Sequence, residues 1–191
     1  KTLQKQLGHR FKNKALLRAA LTHPSARNEN PDEEEWDNQR LEFLGDAVLQ
    51  LVTTDFLFTR FHRWDEGRLT KVRSALTKEA ALVRYAKALG LGDALLLGRG
   101  EEQGGGRARR SNVADAFEAV LGAVYLDGGV ETARGLCHRL VLNPLEGVEQ
   151  LLEQENPKGA LQEHTQREYQ SLPTYEVVEV SGPEHQPEFV V

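Results

Sequence analysis

The chain has 191 residues, of which 39% are hydrophobic and 28% charged, and it carries a formal net charge of −5. This size and composition suit one globular domain of ordinary size, with room for a small second one. The net negative charge of the whole chain does not favour nucleic-acid binding. The single cysteine excludes an internal disulfide. Because the chain has no long apolar run and no signal-peptide pattern, we expect a cytoplasmic protein without a membrane segment.

The chain up to about Leu152 has helical spacing. Residues 13–23, NKALLRAALTH, predict a helix that ends before Pro24. Residues 24–38 are polar, acidic and contain two prolines, so they predict an exposed loop. A long helix is predicted from about Asp37 to Phe61, and two shorter helices are predicted within 65–76 and 78–89.

A glycine-rich segment at residues 98–112, with four arginines, is predicted to interrupt the helices. Residues 113–129 predict a helix that ends on two glycines, and 130–142 and 146–154 complete the helical set. Beyond them the pattern changes to a short helix at 160–170, a strand within 173–182 and the start of a second strand within 183–191. We therefore predict a helical domain at 1–152, a linker at 153–156 and a second domain at 157–191.

Two of the predicted helices each carry a pair of acids beside an apolar stripe. Glu42 and Asp46 lie four residues apart in RLEFLGDAVL, and Asp115 and Glu118 lie three apart in NVADAFEAVLGA. These spacings place each pair on one helix face, where like charges repel, and Gly122 leaves room in the next turn. If these four carboxylates are buried, positive charge must lie nearby to offset the cost of removing them from water.

Divalent metal ions are one answer to this charge problem. Mg²⁺ prefers hard oxygen ligands, and a two-metal centre supports phosphodiester hydrolysis. The absence of a Cys/His cluster argues against zinc. The alternative interpretation is that both pairs are ordinary solvated helix faces, and periodicity alone does not decide between the two.

The motifs themselves resemble those of the ribonuclease III family. NQRLEFLGDAVL is similar to the family signature, NVADAFEAVLGAVYLDGG to its second acidic motif and ALTHPS to an early Leu-Thr-His-x-Ser element. NPKGALQEHTQ resembles the opening helix of a double-stranded-RNA-binding domain. The resemblance implies a mainly α protein: an all-helical endonuclease domain followed by a truncated α+β domain of the α-β-β-β-α type, which lacks its third strand and closing helix.

The resemblance also implies an activity and a site. It implies cleavage of double-stranded RNA by a water molecule activated by Mg²⁺, or by Mn²⁺ as a substitute, leaving 5′-phosphate and 3′-hydroxyl ends with short 3′ overhangs. Glu42, Asp46, Asp115 and Glu118 would bind the metal, with Asp46 and Glu118 as the catalytic pair. Ribosomal and messenger RNA precursors would be processed. No small-molecule cofactor and no membrane partner are expected.

Further residues follow from the same resemblance. The family dimerises, and Phe43 matches the apolar residue that packs into the partner subunit, although an ordinary core position is an equal alternative. Gln39 stands where bacterial relatives usually carry an acid that contacts or supports RNA. In the second domain, minor-groove contacts are implied for Gln162, Glu163, Gln166 and His185.

The arginines of the glycine-rich segment are candidates for RNA contact on chemical grounds. Arginine suits phosphate, and this segment leads directly into the second acidic helix. We therefore predict RNA contacts for Arg107, Arg109 and Arg110, with a solvated loop as the alternative. His23, next to Pro24, is predicted to be structural.

Three functions remain to be compared. The first is a Mg²⁺-dependent double-stranded-RNA endonuclease, and the second is a non-catalytic RNA-binding scaffold of the same fold. The scaffold is disfavoured because such relatives typically lose the acids. A helical phosphohydrolase acting on nucleotides is disfavoured by the RNA-binding segment. We expect the endonuclease.

Overall fold

A computed structural model of the chain describes residues 2–29, 36–142, 157–176, 178–181 and 188–190. These residues belong to two units, Lys1–Gly147 and Val148–Val191. The predicted linker at 153–156 and the predicted helix at 146–154 lie outside the described residues. The predicted domain boundaries therefore stay a prediction.

The described part of the first unit is helical. Its helices are α1 Thr2–Leu7, α2 Lys14–Leu21, α3 Pro24–Glu29, α4 Gln39–Arg60, α5 Glu66–Thr77, α6 Glu79–Ala88, α7 Leu91–Ala94, α8 Arg99–Gln103 and α9 Arg110–Cys137. A 3₁₀ turn, Gly106–Ala108, precedes α9, and a π-helical turn, His138–Leu142, follows it. No helix in these described ranges is long and apolar enough to cross a membrane.

Helices α4 and α9 form the centre of this unit and pack along each other. Helix α9 has a buried apolar stripe, as predicted, and its four members are at most 4% exposed: Val113, Phe117, Val120 and Val124. On α4, Leu41, Val48 and Val52 are buried and Leu44 is half-buried. Burial of these apolar side chains drives the crossing that positions the acids.

Most predicted helix limits agree with the structure to within one or two residues. Helix α4 occupies Gln39–Arg60, α6 falls inside its predicted segment, and α5 extends one residue beyond its own segment, to Thr77. The predicted end on two glycines is also confirmed, because the backbone of α9 breaks at Gly129, with φ 78° and ψ 176°. A left-handed φ of this kind favours glycine.

Two predictions of irregular structure were wrong. The segment after α2 is not a loop throughout, because Pro24 starts helix α3, and a proline at the first helical position needs no hydrogen-bond acceptor. The glycine-rich segment contains α8 and the 3₁₀ turn. Its side chains hold it together, since Asn112 Nδ2 donates to Glu101 Oε1 at 2.8 Å and to the Gly106 carbonyl at 3.1 Å.

The second unit contains a helix and a hairpin among its described residues. Helix α10 is Pro157–Tyr169, and strands β1, Glu179–Ser181, and β2, Glu188–Val190, pair antiparallel with Val180 opposite Phe189. The predicted helix and both predicted strands are therefore present. Each strand is three residues long.

Candidate metal centre

The crossing of α4 and α9 is close because each helix has a glycine at the contact. A Cβ atom on Gly122 would lie 3.1 Å from the Gly45 nitrogen and would overlap the carbonyl oxygen of Leu41. Gly45 makes the same kind of approach to the backbone of Glu118. Two helix backbones in such contact leave the neighbouring side chains, which are the predicted acids, at short distances from one another.

Three of the four predicted acids form a compact group. One carboxylate oxygen from each of Glu42, Asp115 and Glu118 lies within 4.8 Å of the others, and all three side chains are half-buried. Asp46 stays outside this group on the exposed side, where its Oδ1 accepts a long hydrogen bond of 3.5 Å from Gln50 Nε2. The structure thus brings together three residues of the set and leaves the fourth at the edge.

The electrostatics of the group reflect burial and mutual repulsion. Burial raises the pKa of Glu118 from an ordinary value of 4.5 to about 8, and the charges of Asp46, Glu42 and Asp115 add to this shift. The pKa of Glu42 is raised by burial, then by Asp115 and Asp46. Asp46 therefore belongs to the same electrostatic group although it lies outside the compact cluster.

The pKa of Asp115 is raised by burial, although the nearby His23 partly offsets the effect and Glu79 adds to it. His23 itself has a structural role, as predicted: Ser25 Oγ lies 2.8 Å from its Nδ1, and its backbone nitrogen donates to the Leu96 carbonyl at 2.9 Å. Sequence reasoning did not place this ring beside the acids, since residue 23 and residue 115 are distant in the chain.

The donor chemistry of the cluster suits a hard divalent cation. Within the described ranges no lysine or arginine forms an ion pair with any of the four acids. The group consists of carboxylate oxygens without cysteine or histidine. Half-buried acids that repel one another, and that form no ion pair with lysine or arginine among the described residues, fit a bound dication.

The arginines predicted to contact RNA are engaged within the chain. Arg107 forms an ion pair with Glu102, and its Nη1 donates to the carbonyls of Gly92, Asp93 and Leu95 at 2.9–3.0 Å. Arg109 pairs with Glu101 at 2.6 Å and Arg110 with Glu79 at 2.9 Å. Arg107 therefore connects α8 to the carbonyl groups at the end of α7. Contact between RNA and these three arginines stays a prediction.

Two further predicted residues lie on the surface of α4. Gln39 is the exposed first residue of the helix, and its RNA contact stays a prediction. Phe43 is 82% exposed, which excludes the alternative of an ordinary core phenylalanine. Leu51 and Phe58 on the same helix are 61% and 72% exposed.

The predicted RNA-binding residues of the second unit are only partly described. Gln162 is half-buried and Gln166 exposed on helix α10, and Glu163 lies in the same helix. His185 lies outside the described residues. Their roles stay predictions.

The chain is similar in sequence to proteins of one family. A family model described as Ribonuclease-III-like matches residues 13–145. Ribonuclease 3 of Nitrosococcus oceani is 47% identical over 191 residues, covering 99% of this chain and 79% of the relative. Ribonuclease 3 of Dehalococcoides mccartyi is 44% identical over 188 residues, with 98% and 79% covered.

Solved structures agree with these matches. The nuclease domain of ribonuclease III from Campylobacter jejuni is 41% identical and superposes with a TM-score of 0.69 over 75% of this chain and 96% of that one. Dicer from Giardia intestinalis, at 24% identity and a TM-score of 0.56 over 74% of this chain and 18% of that one, shares the fold. From the family model, the identity to these relatives and the helical nuclease fold, we conclude that the chain belongs to the Ribonuclease-III-like family.

Proposed function

We propose that this chain is a Mg²⁺-dependent endoribonuclease that hydrolyses double-stranded RNA and leaves 5′-phosphate and 3′-hydroxyl ends with short 3′ overhangs. The observation that carries the proposal is the carboxylate cluster of Glu42, Asp115 and Glu118 at the glycine crossing of α4 and α9. Membership of the family agrees with it. Precursors of ribosomal and messenger RNA are the proposed substrates.

The cation-binding role falls to Glu42, Asp115 and Glu118, with Asp46 completing the set from the exposed edge. Bound Mg²⁺ would supply Lewis-acid stabilisation of the phosphodiester oxygens and a more acidic water molecule. The three half-buried carboxylates supply fixed oxygen donors on two rigid helices, so their geometry does not depend on a loop. Asp46 and Glu118 are proposed as the groups nearest to the reacting phosphate.

Glu118 couples this site to protons. With a pKa of about 8 in the metal-free protein, its carboxyl group holds a proton through much of the neutral range. The carboxylate form of Glu118 would be favoured with a dication bound, and its carboxyl group would then release that proton. Glu118, whose pKa burial raises to about 8, is therefore the acid of this cluster whose ionisation should respond most to cation binding.

We also propose a homodimer with Phe43 at its centre. The nuclease domain from Campylobacter jejuni was studied for flexibility in the region involved in its dimer formation. In this chain Phe43, Leu51 and Phe58 expose an apolar stripe on one side of α4, a feature that typically marks a protein–protein contact. A second copy would bring a second carboxylate cluster to the same duplex, one for each strand.

For the second unit we propose the N-terminal part of a double-stranded-RNA-binding domain, with the domain limits 1–152 and 157–191. Helix α10 followed by an antiparallel hairpin has the α-β-β order of such a domain. Gln162, Glu163, Gln166 and His185 are the proposed minor-groove contacts, and Gln39 is proposed to contact RNA beside the acids.

The test is cleavage of a long RNA duplex by the wild-type chain in Mg²⁺ and in EDTA. We expect short fragments only with Mg²⁺. Glu118→Gln should retain duplex binding measured in EDTA and lose cleavage, and it should reduce the rise in melting temperature that Mg²⁺ causes. Glu131→Gln, which changes an exposed acid of the same helix, should behave as the wild type.

If the chain is a non-catalytic scaffold, Mg²⁺ should not cause cleavage. The chain would bind the duplex with the same affinity in Mg²⁺ and in EDTA and leave it intact. Wild-type rates of cleavage by Glu118→Gln would show that its assigned role is wrong.

A further inference from the structure

Positive charge is concentrated at the beginning of this acidic chain. Residues 1–28 contain no Asp or Glu, whereas the whole chain has 29 acidic and 24 basic residues. The Lys and Arg residues of this stretch are Lys1, Lys5, Arg10, Lys12, Lys14, Arg18 and Arg27. Such local concentration creates a positive field that the net charge of −5 conceals.

Four of these cations form what we call the N-terminal basic surface: Lys5, Arg10, Lys12 and Lys14. All four are exposed, and within the described part of the chain none of them forms an ion pair. The three arginines predicted to contact RNA differ in this respect, because each of them forms an ion pair with a glutamate. Among the described residues, the arginines that were predicted to contact RNA are therefore compensated, whereas the four cations of the N-terminal basic surface are not.

The backbone that carries this surface is held in place. Asp127 on α9 accepts hydrogen bonds from the backbone nitrogens of Lys12 and Asn13 at 3.0 and 2.8 Å, and His9 Nε2 lies 2.7 Å from the same carboxylate. Phe11, between the cations, is buried at 3% exposure. Since residues 10–14 span at most about 14 Å of extended chain, three cations are presented within the reach of a few phosphates.

The surface does not belong to the carboxylate cluster. Asp127 follows Glu118 by nine residues in α9, which corresponds to a rise of about 14 Å and two and a half turns. The two side chains therefore leave the helix on opposite sides. A polyanion at the N-terminal basic surface would not occupy the space where a scissile phosphate meets the acids.

We infer that Lys5, Arg10, Lys12 and Lys14 form a second, non-catalytic binding surface for the phosphate backbone of RNA that flanks the duplex being cut. The inference rests on the proposed function, since it takes RNA as the polyanion. Lysine and arginine neutralise phosphates without reading sequence, and each such contact adds to the salt dependence of binding. A stiff duplex in the catalytic site would leave this surface to its single-stranded or folded flanks.

The experiment compares two RNAs, a blunt duplex and the same duplex with long single-stranded flanks, with binding measured in EDTA over a range of salt concentrations. The variants are Lys12→Glu, Lys12→Glu with Lys14→Glu, and Lys87→Glu as a charge-matched control at an exposed position of α6. All are expected to melt as the wild type does, because the replaced side chains are exposed.

We expect the double variant to bind the flanked RNA about tenfold more weakly at low salt, with a salt dependence smaller by one to two counterions. Its binding to the blunt duplex and its Mg²⁺-dependent cleavage of that duplex should be unchanged. Unchanged affinity for the flanked RNA would overturn the inference, and so would an equal loss in Lys87→Glu, which would show a general effect of net charge. A wild-type chain that cuts no duplex would refute the proposed function instead, while the EDTA binding data would still decide the role of the surface.

Discussion

The backbone of Gly45 on α4 lies directly against the carbonyl group of Glu118 on α9. A Cβ atom at position 45 would overlap that carbonyl oxygen and lie 3.0 Å from the Gly122 nitrogen. The residue that sits between two of the acids in the sequence is thus the residue that lets the second pair of acids approach. Glycine is required here for space and not for an unusual backbone conformation.

Gly45→Ala should therefore separate the two helices. Alanine favours a helix over glycine by up to about 1 kcal/mol, but the backbone overlap outweighs this gain, so the melting temperature should fall. The Mg²⁺-induced rise in melting temperature should shrink as the carboxylates move apart. Gly135→Ala is the matched control, because a Cβ atom at that position of α9 meets nothing within 4 Å, and it should be neutral or stabilising. A stable Gly45→Ala variant with an unchanged response to Mg²⁺ would contradict this account.

The metal-free protein should lose stability as the pH rises. Because the pKa of Glu118 is about 8 in the folded state and 4.5 ordinarily, the folded protein binds more protons than the unfolded chain between these values. The free energy of unfolding then falls with pH across that window. Asp127 and Glu101, whose pKa values are lowered, act with the opposite sign and only in the acidic range.

Melting temperatures in EDTA between about pH 5 and 9 test this sign. Glu118→Gln should flatten the profile and raise stability at its alkaline end, while the raised pKa values of Glu42 and Asp115 leave a smaller dependence. Identical profiles for the wild type and Glu118→Gln would show that Glu118 is not the responsible group.

Replacing Phe43 should affect self-association and not the stability of the nuclease unit. Its side chain is 82% exposed, so Phe43→Ala removes little that folding buries, but it removes the centre of the proposed contact. We expect the dimer dissociation constant, measured by sedimentation, to rise by at least about tenfold. Phe117→Ala offers the contrast, since a phenylalanine that is 1% exposed should cost about 3–5 kcal/mol of unfolding free energy. Unaltered sedimentation of Phe43→Ala would exclude Phe43 from the interface.

Arg107→Ala should behave as a folding variant. Its guanidinium donates to three carbonyls at the end of α7 and pairs with Glu102, so removal leaves several acceptors without a partner and should lower the melting temperature. Arg107→Lys should not restore it, because lysine lacks the planar fork of donors. Arg110→Ala is the control, since its ion pair with Glu79 is exposed and contributes little. A loss of RNA affinity with an unchanged melting temperature would instead support the predicted contact between Arg107 and RNA.

The sequence by itself determined the longer helices and the acids that they carry. Helical periodicity and capping act over a few residues, so the limits of α4 and the break of α9 at Gly129 could be predicted from letters close together in the chain. The same local spacing placed Glu42 beside Asp46 and Asp115 beside Glu118. Prediction from local patterns failed at α8 and the 3₁₀ turn. Hydrogen bonds from the Asn112 side chain to Glu101 and to the Gly106 carbonyl hold this segment, and helical periodicity does not reveal such bonds.

Only the tertiary structure decided which groups meet. The glycine crossing draws Glu42, Asp115 and Glu118 together and leaves Asp46 at the edge, and it is the packing around α2 that brings His23 near Asp115. The same packing commits Arg107 to carbonyl groups while the lysines at residues 12 and 14 remain without ion pairs among the described residues. Charges interact through space according to distance and burial, and both quantities arise only when segments far apart in the chain pack against each other.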